Sequence, residues 1–430
     1  MCIRDSFITV FLITVFTVGF FCCKQASSTE LSTAYVYAGS AISVVLAGDL
    51  ISLFIFWELM ALASTLLIWS SKNEKSYKAG MRYISIHLLG GVILMCGIAG
   101  YAYETHSIAF THIQLNSLST WLILCGFLLN AGAPPLTAWL ADAYPEASFS
   151  GTVFLSAFTT KTAVYVLLRG FPGTDLLVYI GLFMIFYGII YALLENDMRR
   201  ILAYSIINQV GFMVCGIGIG TEMALNGTAA HAFTHIIYKA LLLMSAGSVL
   251  YMTGKRKCTE LGGLVQSMPI TAVCGIIGAL AISSFPLTSG FISKSMITQA
   301  SSDEQLLWVW LLLQAASAGV FLHAGIKFPW FVFFQKDSGL RPTDPPMNMQ
   351  ISMVFFAVIC ILIGVFPGTL YSMMPYSVDY EPYTVSHTLT QLQLLLFSGL
   401  AFFVMLPFMK RTLTISLDFD WFYRRLAPLF

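Results

Sequence analysis

Charge is what this sequence has least of. Asp, Glu, Lys and Arg make up 10% of the 430 residues and hydrophobic types 57%, whereas a soluble domain carries roughly 25% charge. A water-exposed surface cannot be assembled from so few charges; a lipid-facing one needs none. The net charge is +1, and no basic run is long enough to hold a nucleic-acid backbone, so a nucleic-acid partner is not expected. The nine cysteines are scattered through apolar stretches with no C-x-x-C pair. They read as small apolar residues in helices, so neither a disulfide framework nor a metal site is inferred from them. Walker, Rossmann, haem-attachment and zinc-protease patterns are absent. No cofactor, no metal and no catalytic residue of its own is therefore expected, and energy has to come from an ion gradient or from partner subunits.

What is present is a series of apolar runs. A spanning helix needs about 20 mostly apolar residues, and the runs 7–23, 32–47, 49–69, 81–103, 117–133, 150–169, 175–194, 200–220, 228–252, 269–300, 306–334, 351–371 and 389–409 fit. Backbone groups in lipid must be satisfied internally, and β-alternation is missing. The expected fold class is an all-α polytopic transmembrane helical bundle of about 13 spans. Met1–Ser6 is polar and mixed, and no clean positive n-region or A-x-A site frames Phe7–Cys23 as a leader, so that run reads as a span. The opening hexapeptide is unlike a natural start and points to N-terminal truncation.

Loop charge alternates. Lys72, Lys75, Lys78 and Arg82, then Arg199 and Arg200, then Lys255, Arg256 and Lys257, then Lys336 and Arg341, then Lys410 and Arg411 form basic loops. Glu104, Glu222, Asp303 with Glu304, and Asp379 with Glu381 fall between them. The positive-inside rule puts the basic loops in the cytoplasm, with the N-terminus outside and the C-terminus inside. Two spans carry break signals. Ala133, Pro134 and Pro135 interrupt 117–169, and Pro286 with Ser283, Ser284, Thr288 and Ser289 interrupts 269–300. Proline removes an internal hydrogen bond, and a broken helix in a membrane either lines an ion path or is a packing kink. Gly216, Gly218 and Gly220 form no phosphate loop and suit close helix packing.

Ionisable residues inside spans carry the functional signal, because each costs about 2.5–3.5 kcal/mol at the bilayer centre on insertion scales. Glu58 lies deep in 49–69, Lys161 in the middle of 150–169. A snorkelling role is the bland reading of both; distance from the span ends argues against it. A buried carboxylate or lysine can exchange charge for a proton. His231, His235 and Lys239 recur every fourth residue and share one helix face, a stripe suited to proton transfer. A structural His pair is the alternative; a metal pair lacks a third ligand. Lys294 follows the Pro286 break and either faces a cavity or lies at an interface. Lys327, two residues before Pro329 with His323 one turn earlier, reads as a relay or exit group. His87 is a lone helix histidine, better suited to packing.

In order, WELMALAS around Glu58, APPLTAWLADAYPEA (133–147), FTTKTAVYVLLR (158–169), DMRRILAYSIINQVGFM (197–213), HAFTHIIYKALLLMSAGSV (231–249) and SSFPLTSGFISKSM (283–296) resemble the proton-translocating antiporter-like family. That family includes the D-type component of Mrp-type multisubunit Na+/H+ antiporters and the antiporter-like subunits of respiratory complex I (NADH-quinone oxidoreductase). The resemblance runs from about Tyr35 to Phe334, and the tail from His323 through LDFDWFYRR is nearer the Mrp-D type. It implies two inverted repeats with broken helices, and a proton relay through Glu58, Lys161, His231, His235, Lys239, Lys294 and Lys327. Glu58 matches the glutamate of the first half-channel and Lys327 falls at the exit-side basic position. One position departs: where the family usually has a lysine five residues before the proline of PL-x-x-WL, this chain has Asn130. The usual Glu–Lys pair is then missing, and Glu58 is left to pair with Lys161 or to bind a cation through water.

The resulting expectation is an N-terminal span (1–34), a proton-conducting domain (35–334) and C-terminal helices with a tail (335–430), in a bacterial-type inner membrane. The chain would work with other membrane subunits, exchanging protons for Na+ or another monovalent cation. A complex I-type subunit driven by quinone reduction elsewhere is the first rival, and a non-transporting scaffold subunit the second.

Overall fold

The computed structural model describes residues 3–407 together with Asp418, Trp421 and Arg424. Lys410 and Arg411, and most of the LDFDWFYRR tail, lie outside the described residues. Among the described residues seventeen α-helices follow one another. The first four are α1 (Ile3–Cys22), α2 (Ser28–Leu46), α3 (Leu50–Trp69) and α4 (Glu74–Thr105). An interrupted series comes next: α5 (Leu118–Ala131), α6 (Trp139–Ala143), α7 (Gly151–Ala157) and α8 (Thr159–Gly170). Then come α9 (Leu176–Leu194), α10 (Met198–Ile219) and α11 (Glu222–Thr253), and a second interrupted pair, α12 (Pro269–Ile282) and α13 (Ser289–Asp303). The series closes with α14 (Leu307–Val320), α15 (Met347–Val365), α16 (Pro367–Tyr371) and α17 (Val385–Met405).

Among the described residues ten helical stretches are long and apolar enough to cross a membrane. Two shorter apolar helices, α5 and α12, are first halves of the spans that proline was expected to break. The expected run 32–47 corresponds to α2, which is 19 residues long but opens on Ser28, Thr29 and Glu30 and is not among the ten. The chain is thus a multi-pass all-α membrane bundle. Exposed Ile55, Leu59, Leu62 and Leu66 on α3 form one apolar stripe on its outer face, as lipid demands.

Local chemistry sets the helix ends. Asp49 accepts from Ser52 N at 2.8 Å, Asn73 closes a capping box with Ser76, and Asp197 accepts from Arg199 N at 2.9 Å; each satisfies a first-turn N–H. Gly132, Gly220 and Gly254 stop α5, α10 and α11 in the left-handed region, where glycine alone pays no steric cost. The Pro134–Pro135 bond is cis.

Loops gather at two opposite ends. At one, Met198 N donates to Arg256 O, Cys258 N to Asn196 O and Ser338 N to Gly262 O. Ion pairs Arg82–Asp142, Arg200–Glu195, Arg256–Glu146 and Arg256–Asp197 lie there too. Two residues of the tail join this end: Asp418 accepts from Tyr187 and Tyr204, and Arg424 pairs with Asp142. At the other end Leu50 N donates to Ile108 O, Ile113 N to Gly170 O and Gly173 N to Ile217 O, while Arg169 donates to the carbonyls of Ala47 and Phe110. Among the described residues, the basic loops expected on one side therefore share an end.

The α7–α8 unit and α10 are wholly enclosed by other helices. Glycine lets them be. A Cβ on Gly188 of α9 would lie 2.6 Å from Tyr204 O and 2.8 Å from Asn208 N of α10, and one on Gly211 would lie 2.7 Å from Gly181 O. Gly218 meets Val178 of α9 and Gly216 meets Thr228 of α11, so these glycines do serve close packing. Gly188→Ala should therefore destabilise the bundle by about 1–3 kcal/mol through overpacking. Gly39→Ala on α2, with open space around it, should not. Thermal unfolding midpoints of the two variants in detergent check this.

Candidate functional site: a buried polar axis through broken helices

The breaks decide where two of the lysines go. An α-helix leaves its last carbonyls without intrahelical donors, and a break inside a membrane brings those carbonyls into the core. Lys161 Nζ donates to Ser156 O at 2.6 Å and to Thr160 Oγ1 at 3.0 Å, closing the end of α7 across the break at Phe158. Lys294 Nζ donates to Ile282 O at 3.0 Å, closing α12 across the Pro286 break, and stands 4.9 Å above the Phe212 ring. Lys327 Nζ donates to three carbonyls at the end of α9: Ala192 at 2.8 Å, Leu193 at 2.5 Å and Glu195 at 2.7 Å. Each ammonium thus sits at the negative end of a helix. All three are fully buried. Lys294 also lines a polar cavity of about 290 Å³ with Ser295, Thr298, Gln314, Ser317 and His387, so of its two expected settings it has the cavity.

Between these lysines runs the α11 stripe. His231, His235 and Lys239 are buried on one face. His231 Nε2 lies 3.1 Å from Gln209 Oε1 and Nδ1 lies 3.2 Å from Ser293 Oγ, so both ring nitrogens are committed to protein partners. His235 packs edge-on to Tyr238 with ring centroids 5.3 Å apart, and 6.2 Å from His231. Its two nitrogens, like Lys239 Nζ, have no hydrogen-bond partner among the described residues. Lys161, Lys239, His231 and Lys294 all act electrostatically on His235. The expected residues Lys161, His231, His235, Lys239 and Lys294 therefore belong to one cluster, drawn from α8, α11 and α13.

Glu58 stands apart. It is half-buried, and its carboxylate lies against Gly91 of α4, where a Cβ would collide with it. No ion pair joins Glu58 to Lys161 among the described residues, because Lys161 is turned toward the α7 carbonyl instead. Pairing of the two, one of the settings expected for Glu58, is not what the fold provides. Asn130, at the end of α5, is buried, and neither of its amide atoms is bonded to any of the described residues. His87 stacks on Tyr83 at 3.9 Å and packs against Trp139 at 4.6 Å, the packing role expected for it.

Sequence reasoning gave no role to Asn208 and Gln209 of α10, to Ser293, or to His323 beyond its place beside Lys327. Asn208 Nδ2 lies 3.0 Å from His323 Nε2, and Gln209 Nε2 donates to Asn208 Oδ1 at 2.5 Å. These connect the α11 stripe to the segment Phe321–Lys327, which is wound as a π-helix ahead of Pro329, a form frequent at functional sites. The amide pair Asn208–Gln209, mid-span in an apolar run, was the available signal. Glu30 also escaped notice; it is buried and accepts from Ser148 Oγ at 2.5 Å and Ser150 Oγ at 2.6 Å.

A bundle of interrupted membrane helices around a row of buried lysine, histidine and amide side chains is the architecture of an antiporter-like membrane subunit. The chain belongs to the family described as NADH:quinone oxidoreductase/Mrp antiporter, TM, which it matches over residues 47–320. It is 30% identical to the D component of the Na(+)/H(+) antiporter of Alkalihalophilus pseudofirmus over 83% of this chain and 77% of that one. It is 30% identical to the A/B component of a probable K(+)/H(+) antiporter of Rhizobium meliloti over 77% of this chain, but spans only 36% of that protein's length. The Mrp complex of Dietzia sp. DQ12-45-1b has the same fold (TM-score 0.79, 20% identity, 86% of this chain and 81% of that chain). A chain of the membrane-bound sulfane sulfur reductase, an archaeal respiratory membrane complex, superposes with TM-score 0.81 at 25% identity over 96% of this chain and 75% of that chain.

The contact of Glu58 with Gly91 gives a direct test. Gly91→Ala should displace the carboxylate without changing any charge, and the carboxyl stretching band of Glu58 in infrared difference spectra should move. Gly39→Ala, far from any side chain, should leave it in place.

Proposed function

We propose that this chain is an ion-conducting subunit that carries protons along its buried axis and couples their flow to the opposite movement of a monovalent cation, Na+ in the first instance. The observation that carries this reading is the row of buried titratable groups, Lys161, His231, His235, Lys239, Lys294 and Lys327, on adjoining helices. Holding so many ionisable groups inside a membrane bundle is costly unless they act. A proton enters at Glu58, passes Lys161, His235 and Lys239, and leaves near Lys327 or Lys294. The polar cavity at Lys294 supplies an opening. Lys161 and Lys294 each close a broken helix in the same manner, which supports two inverted repeats within 35–334, flanked by 1–34 and 335–430.

Asn130 cannot take up a proton, so Glu58 works without a lysine at that position and serves as the entry group by itself. The chain would operate within a multisubunit assembly in the cytoplasmic membrane, as the names of its relatives suggest for them. A second reading is favoured by the likeness to the archaeal respiratory complex: redox chemistry in another subunit drives the same channel. Purification separates the two, because a redox-driven assembly brings peripheral electron-transfer proteins with it. A scaffold without transport is the reading that Asn130, unbonded among the described residues, favours; a Glu58 carboxyl that never changes protonation in infrared difference spectra would support it.

The conduction reading is tested by flux. In vesicles holding the whole assembly, Glu58→Gln and Lys161→Ala should each reduce proton and Na+ movement to the level of empty vesicles. Undiminished flux in both variants would reject the relay.

A further inference from the structure

A row of hydrogen bonds crosses the centre of the bundle in one direction, and the backbone sets its polarity. His323 Nδ1 faces the Gly319 carbonyl at 2.8 Å. A carbonyl only accepts, so Nδ1 carries the hydrogen and Nε2 of the neutral ring is a bare acceptor. Asn208 Nδ2 meets it at 3.0 Å. Asn208 Oδ1 then accepts from Gln209 Nε2. Gln209 Oε1 is left facing His231 Nε2 and the Tyr238 hydroxyl, both at 3.1 Å, and both must donate. With its Nε2 protonated, the neutral His231 ring accepts at Nδ1 from Ser293 Oγ at 3.2 Å.

An amide has one accepting end and one donating end, so its orientation transmits polarity. If His231 becomes cationic, its new Nδ1–H turns Ser293 Oγ into an acceptor. Ser293 can then donate to Thr234 Oγ1 at 2.9 Å or to Ser289 O at 3.2 Å, and every other bond survives. If His323 becomes cationic, its Nε2–H meets the Asn208 amino group, donor against donor. The conflict is removed only when both amides rotate, which brings the Gln209 amino group to His231 Nε2 and the Tyr238 hydroxyl, requires that nitrogen to be bare and turns the hydroxyl to accept. With both rings cationic, a donor–donor contact remains under every orientation of the two amides.

We propose that Asn208 and Gln209 are positioning residues that make His231 and His323 alternative seats for a single proton. The exchange balances: one proton leaves His231 Nε2, one arrives at His323 Nε2, each amide rotates once, and the net charge is unchanged. Only the purpose of this exchange rests on the conduction reading; the exclusion itself is a property of the hydrogen bonds. Other charged and titratable groups face both rings. His235 and Tyr238 lie beside His231, and Lys294 and Lys161 act on it electrostatically; Lys239, Lys327 and Lys294 act so on His323. Charge on these groups acts on both rings as well, so the test must remove the amide polarity without altering charge.

Ring 15N chemical shifts of the two histidines, measured on the purified protein in lipid nanodiscs from about pH 5 to pH 8, read the occupancy of each seat. In the wild type one ring at most is cationic at any pH, and His323→Phe raises the occupancy of His231 several-fold. In Asn208→Leu the two occupancies become independent, and His323→Phe no longer affects His231, which is the double-mutant signature of a broken coupling. Gln209→Met cuts the same row one link further on and gives the same answer if Asn208→Leu does not fold. Both rings cationic together in the wild type, both neutral throughout, or coupling that persists in Asn208→Leu would overturn the proposal. Loss of flux with the exclusion intact would reject conduction and leave the pair standing; flux with both rings protonated together would do the reverse.

Discussion

A carbonyl freed by a broken helix inside a membrane has to find a donor. Water is scarce there and an unmet carbonyl is costly. In this protein the donors are lysines. Lys161 closes α7 and Lys294 closes α12, while Lys327 closes the ordinary end of α9 where the basic loops gather. Each break creates a locally negative site, and Lys161 and Lys294 are held there by backbone dipoles rather than by a carboxylate of the described residues. The interrupted spans and the buried cations are thus two sides of one constraint.

That arrangement separates the protein into zones of different electrostatics. At the end where the basic loops meet, ordinary ion pairs hold Arg82 to Asp142 and Arg256 to Glu146 and Asp197. At the centre Lys161, Lys294 and Lys327 lean on carbonyls, a hydroxyl and an aromatic face. A lysine bound to a carboxylate gives up a strong charge pair when it loses its proton, whereas one bound to a carbonyl gives up a hydrogen bond. The second exchange is the smaller. Glu58, half-buried and laid on Gly91, stands outside both settings.

Packing makes the centre inaccessible to lipid. Gly188 and Gly211 bring α9 and α10 to backbone contact, and α10 is enclosed on all sides. The same closeness fixes Asn208, whose backbone nitrogen faces Gly188, and so fixes the amide row between His231 and His323. Buried polar rows of this kind are stable only when each member finds a partner. Here the partners come from α10, α11, α13 and the π-wound turn before Lys327.

Composition and the spacing of apolar runs were enough to declare a helical membrane bundle, because lipid leaves a chain so few alternatives. Pro135 and Pro286 disclosed the two breaks for the same kind of reason, as proline cannot continue the hydrogen-bond ladder. The four-residue spacing of His231, His235 and Lys239 disclosed a shared face, since helix periodicity is local. Which partner each charge takes could not be read that way. Lys161 turned to a carbonyl five residues earlier rather than to Glu58, and the break at Phe158 carries no proline to announce it. Asn208, Gln209, Ser293 and His323 come from three separate stretches of the chain and look ordinary singly. They become a connected row only when four elements pack together, because hydrogen-bond direction is a property of neighbours in space.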